Sequence, residues 1–374
     1  MSSRKFDVTY LSVDSIQEGV GSSQITPLIL GLAGNGRRVC LITLEKEKPP
    51  QELVEMFSKA GVVWIPKEFG RPGVLGGMVR LNRIRRSIPN SSVIHGRSDI
   101  ATAAAIWSGI EAPVLWDVRS LWSDQRFVIG TSGWNTLTAR GARVLENVAA
   151  KKSSAMSTLT AAIVPILEQR HRRIPIIREV NPTCVQTSIF LSSPMPEGQM
   201  TCLLSGTFNN FYDIDRTRQI ISKIRESVDL RIIWARADEA PSDTLGVGET
   251  IVISAAHSEM PKLVSESHFG IAICKQDNLE SLAAAVPTKI GEFLASGRPV
   301  IVSSGVGDLD RLLTTTRAGV VIDHSDSLAT VAELIEQLVK DQSTPERCRE
   351  LAMQHFDMEK SIARYLNIYE RMQH

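Results

Sequence analysis

Short apolar runs alternate with helix-patterned segments along nearly the whole chain, and this alternation constrains the fold more than any other feature. Phe6–Ser12 reads as a strand and Ser22–Gly34 as a helix. Arg38–Leu44, Val62–Pro66, Ser92–His95 and Pro113–Val118 read as further strands. Helices fall near Gln51–Ala60, Leu75–Arg86 and Asp99–Ile110, the last with Asp99 as its N-cap. A second series runs through Thr201–Ser205, Leu230–Ala235, Thr250–Ser254, Gly270–Cys274, Pro299–Ser303 and Gly319–Asp323, with helices between. Such order implies parallel sheets covered by helices on both faces. The chain therefore reads as two Rossmann-like, doubly wound α/β domains facing each other across a cleft. The linker between them reads at Arg178–Gly198, which holds four prolines or glycines. Ligands of open α/β sheets bind at the carboxyl ends of strands, so the cleft is the expected site.

Bulk properties exclude several classes. Lysine plus arginine number 42 and aspartate plus glutamate 41, so net charge gives no reason to propose a nucleic-acid partner. Five scattered cysteines (Cys40, Cys184, Cys202, Cys274 and Cys348) without C-x-x-C favour reduced thiols over disulfides or a zinc site. The polar N-terminus lacks a signal peptide, and no run reaches the roughly 18 apolar residues of a membrane span. The expected location is the cytoplasm.

Val286–Val302 carries the strongest chemical signal. It reads as a helix opened by Pro287-Thr288 and stopped by Gly297, followed by a buried strand. A helix N-terminus offers unpaired N–H groups and partial positive charge to a phosphate. Glu292 follows Thr288 by four residues on the same helix face, where a carboxylate could hold ribose hydroxyls. The loop Glu18-Gly19-Val20-Gly21-Ser22-Ser23-Gln24 follows the first strand. Its glycines let backbone N–H groups approach a phosphate, with Ser22 and Ser23 as extra donors. It lacks the third glycine of G-x-G-x-x-G, and no acidic residue is read at the tip of the next strand. A plain turn with a serine N-cap is the competing reading.

His95 and Arg97 end one strand of the first series, and Asp117 and Arg119 end the next. All four reach the same sheet edge, where α/β folds present functional side chains. A structural histidine and an internal Asp–Arg pair are the simpler alternatives. Gly305-Val306-Gly307-Asp308 reads either as a sugar or phosphate cradle or as a glycine turn capped by Asp308. Arg80, Arg83, Arg85 and Arg86 crowd one helix, and Arg170-His171-Arg172-Arg173 forms a second basic stretch. A basic amphipathic helix can contact an anionic inner-membrane surface, although a solvated helix face is the commoner explanation. Asp213-Ile214-Asp215 and Asp308-Leu309-Asp310 fall at helix starts, where acids suit the dipole, so they are not read as metal ligands.

Together these segments resemble the retaining, GT-B-fold glycosyltransferases of family 4. The likeness spans nearly the whole chain, from "YLSVDSIQEGVGSSQITPLILGLAGNGRRVCLITLEK" through "VIHGRSDIATAAAIW", "LWDVRSLWSDQRF" and "REVNPTCVQTSIF" to "VPTKIGEFLASGRPVIVSSGVGDLDRLL". It implies an acceptor-side domain at 1–185, a donor-binding domain at 199–355, and a helix at 356–374 crossing back to the first domain. It also implies transfer of a sugar from a UDP- or GDP-sugar to an acceptor hydroxyl with retention, in glycan or polysaccharide biosynthesis, without cofactor or metal. Glycans, lipid-linked molecules and small molecules are the implied acceptor classes.

Glu292 matches the ribose-binding second glutamate of the family's E-x7-E motif, whereas the first glutamate falls at Ala284. The family's diphosphate-facing Arg and Lys are replaced by Ser205-Gly206-Thr207-Phe208-Asn209-Asn210-Phe211, which holds neither. The donor set implied is Gly19, Gly21, Ser22, Ser23, Thr207, Pro287, Thr288, Lys289 and Glu292. His95 matches a family histidine near the donor sugar, and His95, Arg97, Asp117 and Arg119 form the implied catalytic set. A nucleotide-sugar epimerase and a catalytically degenerate nucleotide-sugar-binding partner are the alternatives.

Overall fold

The computed structural model describes residues 6–17, 19–71, 73–124, 133–206, 211–236, 245, 246, 248, 250–277 and 279–374. The chain divides into two compact units. The first comprises Met1–Pro182 and Glu359–His374, and the second Thr183–Met358.

The first unit is built on seven strands: β1 (Phe6–Leu11), β2 (Val39–Glu45), β3 (Val63–Glu68), β4 (Ser91–Arg97), β5 (Val114–Val118), β6 (Ala155–Thr158) and β7 (Ile177–Val180). They lie in the order β3-β2-β1-β4-β5-β6-β7, every pair parallel. The central strands are apolar and β-branched, and β2 is buried along its whole length. That is the pattern of a strand covered on both faces. The strand order reverses between β1 and β4, where Tyr10 lies in register with His95.

Two sequence expectations change here. β2 runs to Glu45, so an acid does stand at its tip. Its carboxylate is occupied: it accepts from the Ser15 hydroxyl at 2.5 Å, the Thr43 hydroxyl at 2.5 Å and the Gln17 amide at 2.9 Å. Glu45 therefore ties down the loop after β1. The second change is β7, which lies inside the segment read as a linker. Four half-buried residues give too weak a period to register.

The second unit is built on β8 (Met200–Ser205), β9 (Leu230–Arg236), β10 (Thr250–Ser254), β11 (Phe269–Ala272), β12 (Val300–Ser303) and β13 (Gly319–Ile322). Their order is β10-β9-β8-β11-β12-β13, again all parallel. Helix Ile214–Arg225 sends Ile220, Ile221 and Ile224 into a core with Cys202, Leu204, Ile232, Trp234, Phe269 and Ile271. Asp213 caps that helix, accepting from the Arg216 N–H at 2.8 Å, the role its position suggests. Residues 183–198 belong to this unit. Arg298, fully buried, donates to the Ser193 and Pro194 carbonyls at 2.8 and 3.0 Å and to the Ser265 carbonyl at 2.6 Å.

The last helix, Met358–Arg371, returns to the first unit. Ile362 packs directly on Gly31: a Cβ there would lie 2.1 Å from the Ile362 side chain. The Ser361 carbonyl accepts from the Asn181 amide at 3.2 Å, and Glu370 pairs with Arg37 at 2.7 Å.

Candidate functional site

In the second unit the strand order reverses between β8 and β11, and the crevice beyond such a reversal is where α/β sheets take ligands. β8 is followed by Gly206, whose φ of +81° suits glycine and whose carbonyl accepts from the Trp234 indole at 2.9 Å. Helix Thr288–Ala295 begins beside this edge. Pro287 at its N-cap supplies extended backbone and no side-chain cap, so no side chain competes for the first-turn N–H groups. Gly297, at φ +79°, stops the helix. Phe293 anchors it on β11, where Gly270 has no side chain: a Cβ would sit 2.4 Å from the ring.

Pro287 and Thr288 are half-buried at the start of this helix. Lys289 places its ammonium 4.2 Å from the centre of the Tyr212 ring and close to Gly206. Burial draws its pKa down to about 8. Glu292 is 5 % exposed, and among the described residues no hydrogen bond reaches its carboxylate. His257 Nδ1 is 3.8 Å away, and burial lowers that imidazole's pKa. Burial pushes the carboxyl up to about 7, with Lys289 pulling the other way. Cation, carboxylate and open helix start thus converge at one strand edge, a set suited to an anion joined to a hydroxylated group. Tyr212 and His257 were not singled out in the sequence; only the fold brings them to this helix. Thr207 lies outside the described residues.

The Gly305–Asp308 turn leads into helix Leu309–Thr316, with Asp308 at its N-cap position. Asp310 accepts from the Gly305 N–H, at 2.9 and 3.1 Å.

In the first unit His95, Arg97, Asp117 and Arg119 do come together. β4 and β5 set Arg97 beside Asp117 in register. Asp117 is fully buried, with His95 Nε2 at 3.3 Å, Arg119 at 3.7 Å and Arg97 at 4.0 Å. Burial alone would raise its pKa, but Arg119, His95 and Arg97 outweigh it and hold the carboxyl at about 2. His95 is also fully buried, which lowers its pKa despite Asp117. Tyr10 lies 4.3 Å from its ring, and the Tyr369 hydroxyl is 2.6 Å from Nδ1. Arg119 donates to the Tyr365 hydroxyl at 3.4 Å, and Arg97 pairs with Asp14 at 3.2 Å. A charged Asp117 can only accept, so it favours the proton on Nε2 and leaves Nδ1 to accept from Tyr369. The sequence reading missed Tyr10, Tyr365 and Tyr369. Their period marks them as core, and nothing local ties residue 369 to residue 95.

Gly19 and Gly21 flank the first turn after β1. Gly19 has φ +53°, while Gly21 is needed because a Cβ would lie 1.7 Å from the Ser15 carbonyl oxygen. Ser22 and Ser23 donate their hydroxyls to the Gly19 carbonyl at 2.9 and 3.1 Å. A π-helical turn, Gly21–Ile25, precedes helix Thr26–Gly34. Asp99 is not an N-cap. It is buried in the first turn and accepts from the Trp116 indole at 2.9 Å. The basic stretch at 170–173 is not wholly a solvated face either. Arg170 pairs with Asp124 at 2.8 Å, and His171 Nε2 lies 2.9 Å from the buried Glu146.

Among the described residues no group of three or more His, Cys, Asp or Glu could hold a metal ion, and no helix is long and apolar enough to cross a membrane. All five cysteines are buried free thiols.

No family model and no curated protein matches the sequence. Solved structures do. Sucrose-phosphate synthase (tll1590) from Thermosynechococcus elongatus superposes with a TM-score of 0.73 at 12 % identity, covering 98 % of each chain. Anabaena HepE, solved in complex with UDP-glucose, gives 0.68 at 12 % identity over 97 % of this chain and 99 % of its own. WaaG, a glycosyltransferase involved in lipopolysaccharide biosynthesis, gives 0.66 at 14 % over 95 % and 98 %. The chain shares with them, from end to end, the GT-B architecture of two parallel-sheet α/β units.

Proposed function

We propose that the chain is a glycosyltransferase that moves a sugar from a nucleotide-diphosphate sugar to an acceptor hydroxyl. The second unit takes the donor and the first the acceptor. The observation that carries this reading is Glu292: a buried carboxylate without a hydrogen bond among the described residues, one turn inside a helix whose start carries Lys289. Ribose hydroxyls supply the donors that carboxylate lacks. The ammonium and the helix N-terminus meet the diphosphate, whose charge grows as it leaves. Folds of this shape bind UDP-glucose in HepE, which makes UDP-sugars the first donors to try and GDP-sugars the second. Retention, independence of metal and a place in glycan or polysaccharide biosynthesis complete the reading, by resemblance to family 4. The cytoplasm is the matching location.

Calorimetric titration with UDP and GDP tests it. Glu292→Ala should weaken nucleotide binding by about 1.5–3 kcal/mol, the worth of a hydrogen bond to a charged group. Unchanged affinity refutes the ribose role. Ala284 favours a second reading: it is buried and apolar where the family's sugar-binding glutamate falls. A binding partner without activity would take up nucleotide sugar and transfer it to no acceptor. Conversion of the sugar to an epimer without acceptor would sink both.

The reading extends to a membrane surface. Helix Gly73–Arg85 exposes Leu75 (79 %) and Met78 (66 %), with Arg85 and Arg86 at its end. Apolar side chains beside cations suit an anionic bilayer. Arg80 and Arg83 contribute less, since they bond the Arg71 and Glu68 carbonyls.

A further inference from the structure

Resting on that donor site, we infer that Tyr212 is a positioning residue: its ring holds the Lys289 ammonium over Gly206, at the end of β8, where the donor's diphosphate binds.

Three placements converge on this point. Tyr212 pairs with Cys274 in an isolated antiparallel bridge, and the N–H of its neighbour Asp213 donates to the Ile273 carbonyl at 2.9 Å. The backbone after β8 is thereby fastened to the backbone after β11, across the point where strand order reverses. The Tyr212 ring is further fixed edge-on by Phe211, with centroids 5.7 Å apart. Lys289 then sits with its ammonium 4.2 Å from the ring centre, within the range of a cation–π contact. The ammonium also stands next to Gly206: a Cβ there would lie 3.9 Å from Nζ, ordinary van der Waals contact.

The contact matters because a lysine stem is flexible and an ammonium is a point charge without built-in direction. A ring beneath it fixes where the charge stands before the ligand arrives, which lowers the ordering cost of binding. It also favours the charged form. The titratable groups facing Lys289 are Cys274 and Tyr212, whose pKa values burial raises, and Glu292, with His257 beyond it. Burial works against the ammonium, whose pKa falls to about 8, so a stabilising ring keeps more of it charged near neutral pH.

The test is calorimetry of the full chain with UDP, UMP, GDP and GMP across a pH series. Tyr212→Leu should weaken the preferred diphosphate about tenfold, equivalent to about 1.4 kcal/mol, and the matching monophosphate by less than about twofold. The pH at which diphosphate affinity falls off should move down in this variant. Tyr212→Phe keeps the ring and should restore both affinity and pH profile. Equal loss for mono- and diphosphate marks Tyr212 as merely structural and overturns the inference. So does unchanged diphosphate affinity in Tyr212→Leu, or in Lys289→Ala. If the unmodified protein binds none of the four nucleotides, the donor site itself fails, and this inference with it.

Discussion

Replacing Glu292 with glutamine should stabilise the ligand-free protein while damaging its nucleotide site. The carboxyl titrates at about 7 in the fold against an ordinary 4.5. One tenfold change in protonation is about 1.4 kcal/mol, so ionising this buried group costs about 3 kcal/mol more than in the unfolded chain. The pH dependence has a fixed sign. Below pH about 4.5 the carboxyl is protonated in both states and the cost is absent. Between about 4.5 and 7 the unfolded chain ionises first, and the fold loses stability. Above about 7 the whole cost stands. Glutamine keeps the shape and carries no charge. The attraction of Lys289 is already contained in that net shift, and desolvation of the buried amide offsets part of the gain. The expected gain is about 1–3 kcal/mol near pH 8 and close to zero near pH 4, read as the difference in urea unfolding between variant and parent. Nucleotide affinity should fall about tenfold or more in the same variant. A site strained for function behaves this way. The reasoning is refuted if the variant is no more stable near pH 8, or if its advantage is the same at both pH values. A loss at both would make Glu292 an ordinary structural acceptor.

Arg298→Ala should destabilise the second unit by about 2 kcal/mol in urea unfolding, because the part-buried carbonyls of Ser193, Pro194 and Ser265 lose their common donor together. Arg298→Lys should recover only part of it, since one ammonium lacks the guanidinium's fork. Leu75→Glu with Met78→Glu should lower sedimentation with anionic vesicles several-fold and leave urea unfolding unchanged, because both side chains are largely exposed. Equal sedimentation would remove the membrane reading.

The alternation of strands and helices was legible because both periods are strong in buried parallel sheets. Thr250–Ser254 was read to the residue, and most other strands to within a residue or two. β6 and β7 were not, since four-residue strands carry little period. Glu45 gives no local signal because it sits at the strand's last residue, and its partners Ser15 and Gln17 come from another loop. Lys289 and Glu292 were legible as local chemistry on one helix. Tyr212 and His257 were not, because their proximity to that helix is a product of sheet order. Arg170 and His171 looked like a basic surface for a similar reason: Asp124 and Glu146, which neutralise them, lie distant in sequence.

The return of Met358–Arg371 to the first unit has a consequence for how the protein is made. Tyr365 and Tyr369 seal the buried ring of charge around Asp117, and both emerge from the ribosome after the whole second unit. Until then two guanidiniums and a carboxylate in the first sheet lack part of their cover. The first unit therefore cannot finish folding in the order of its synthesis, although domains generally do so from the N-terminus. During translation its partly built core must wait through the 176 residues of Thr183–Met358, and this is the interval in which a chaperone would have most to hold.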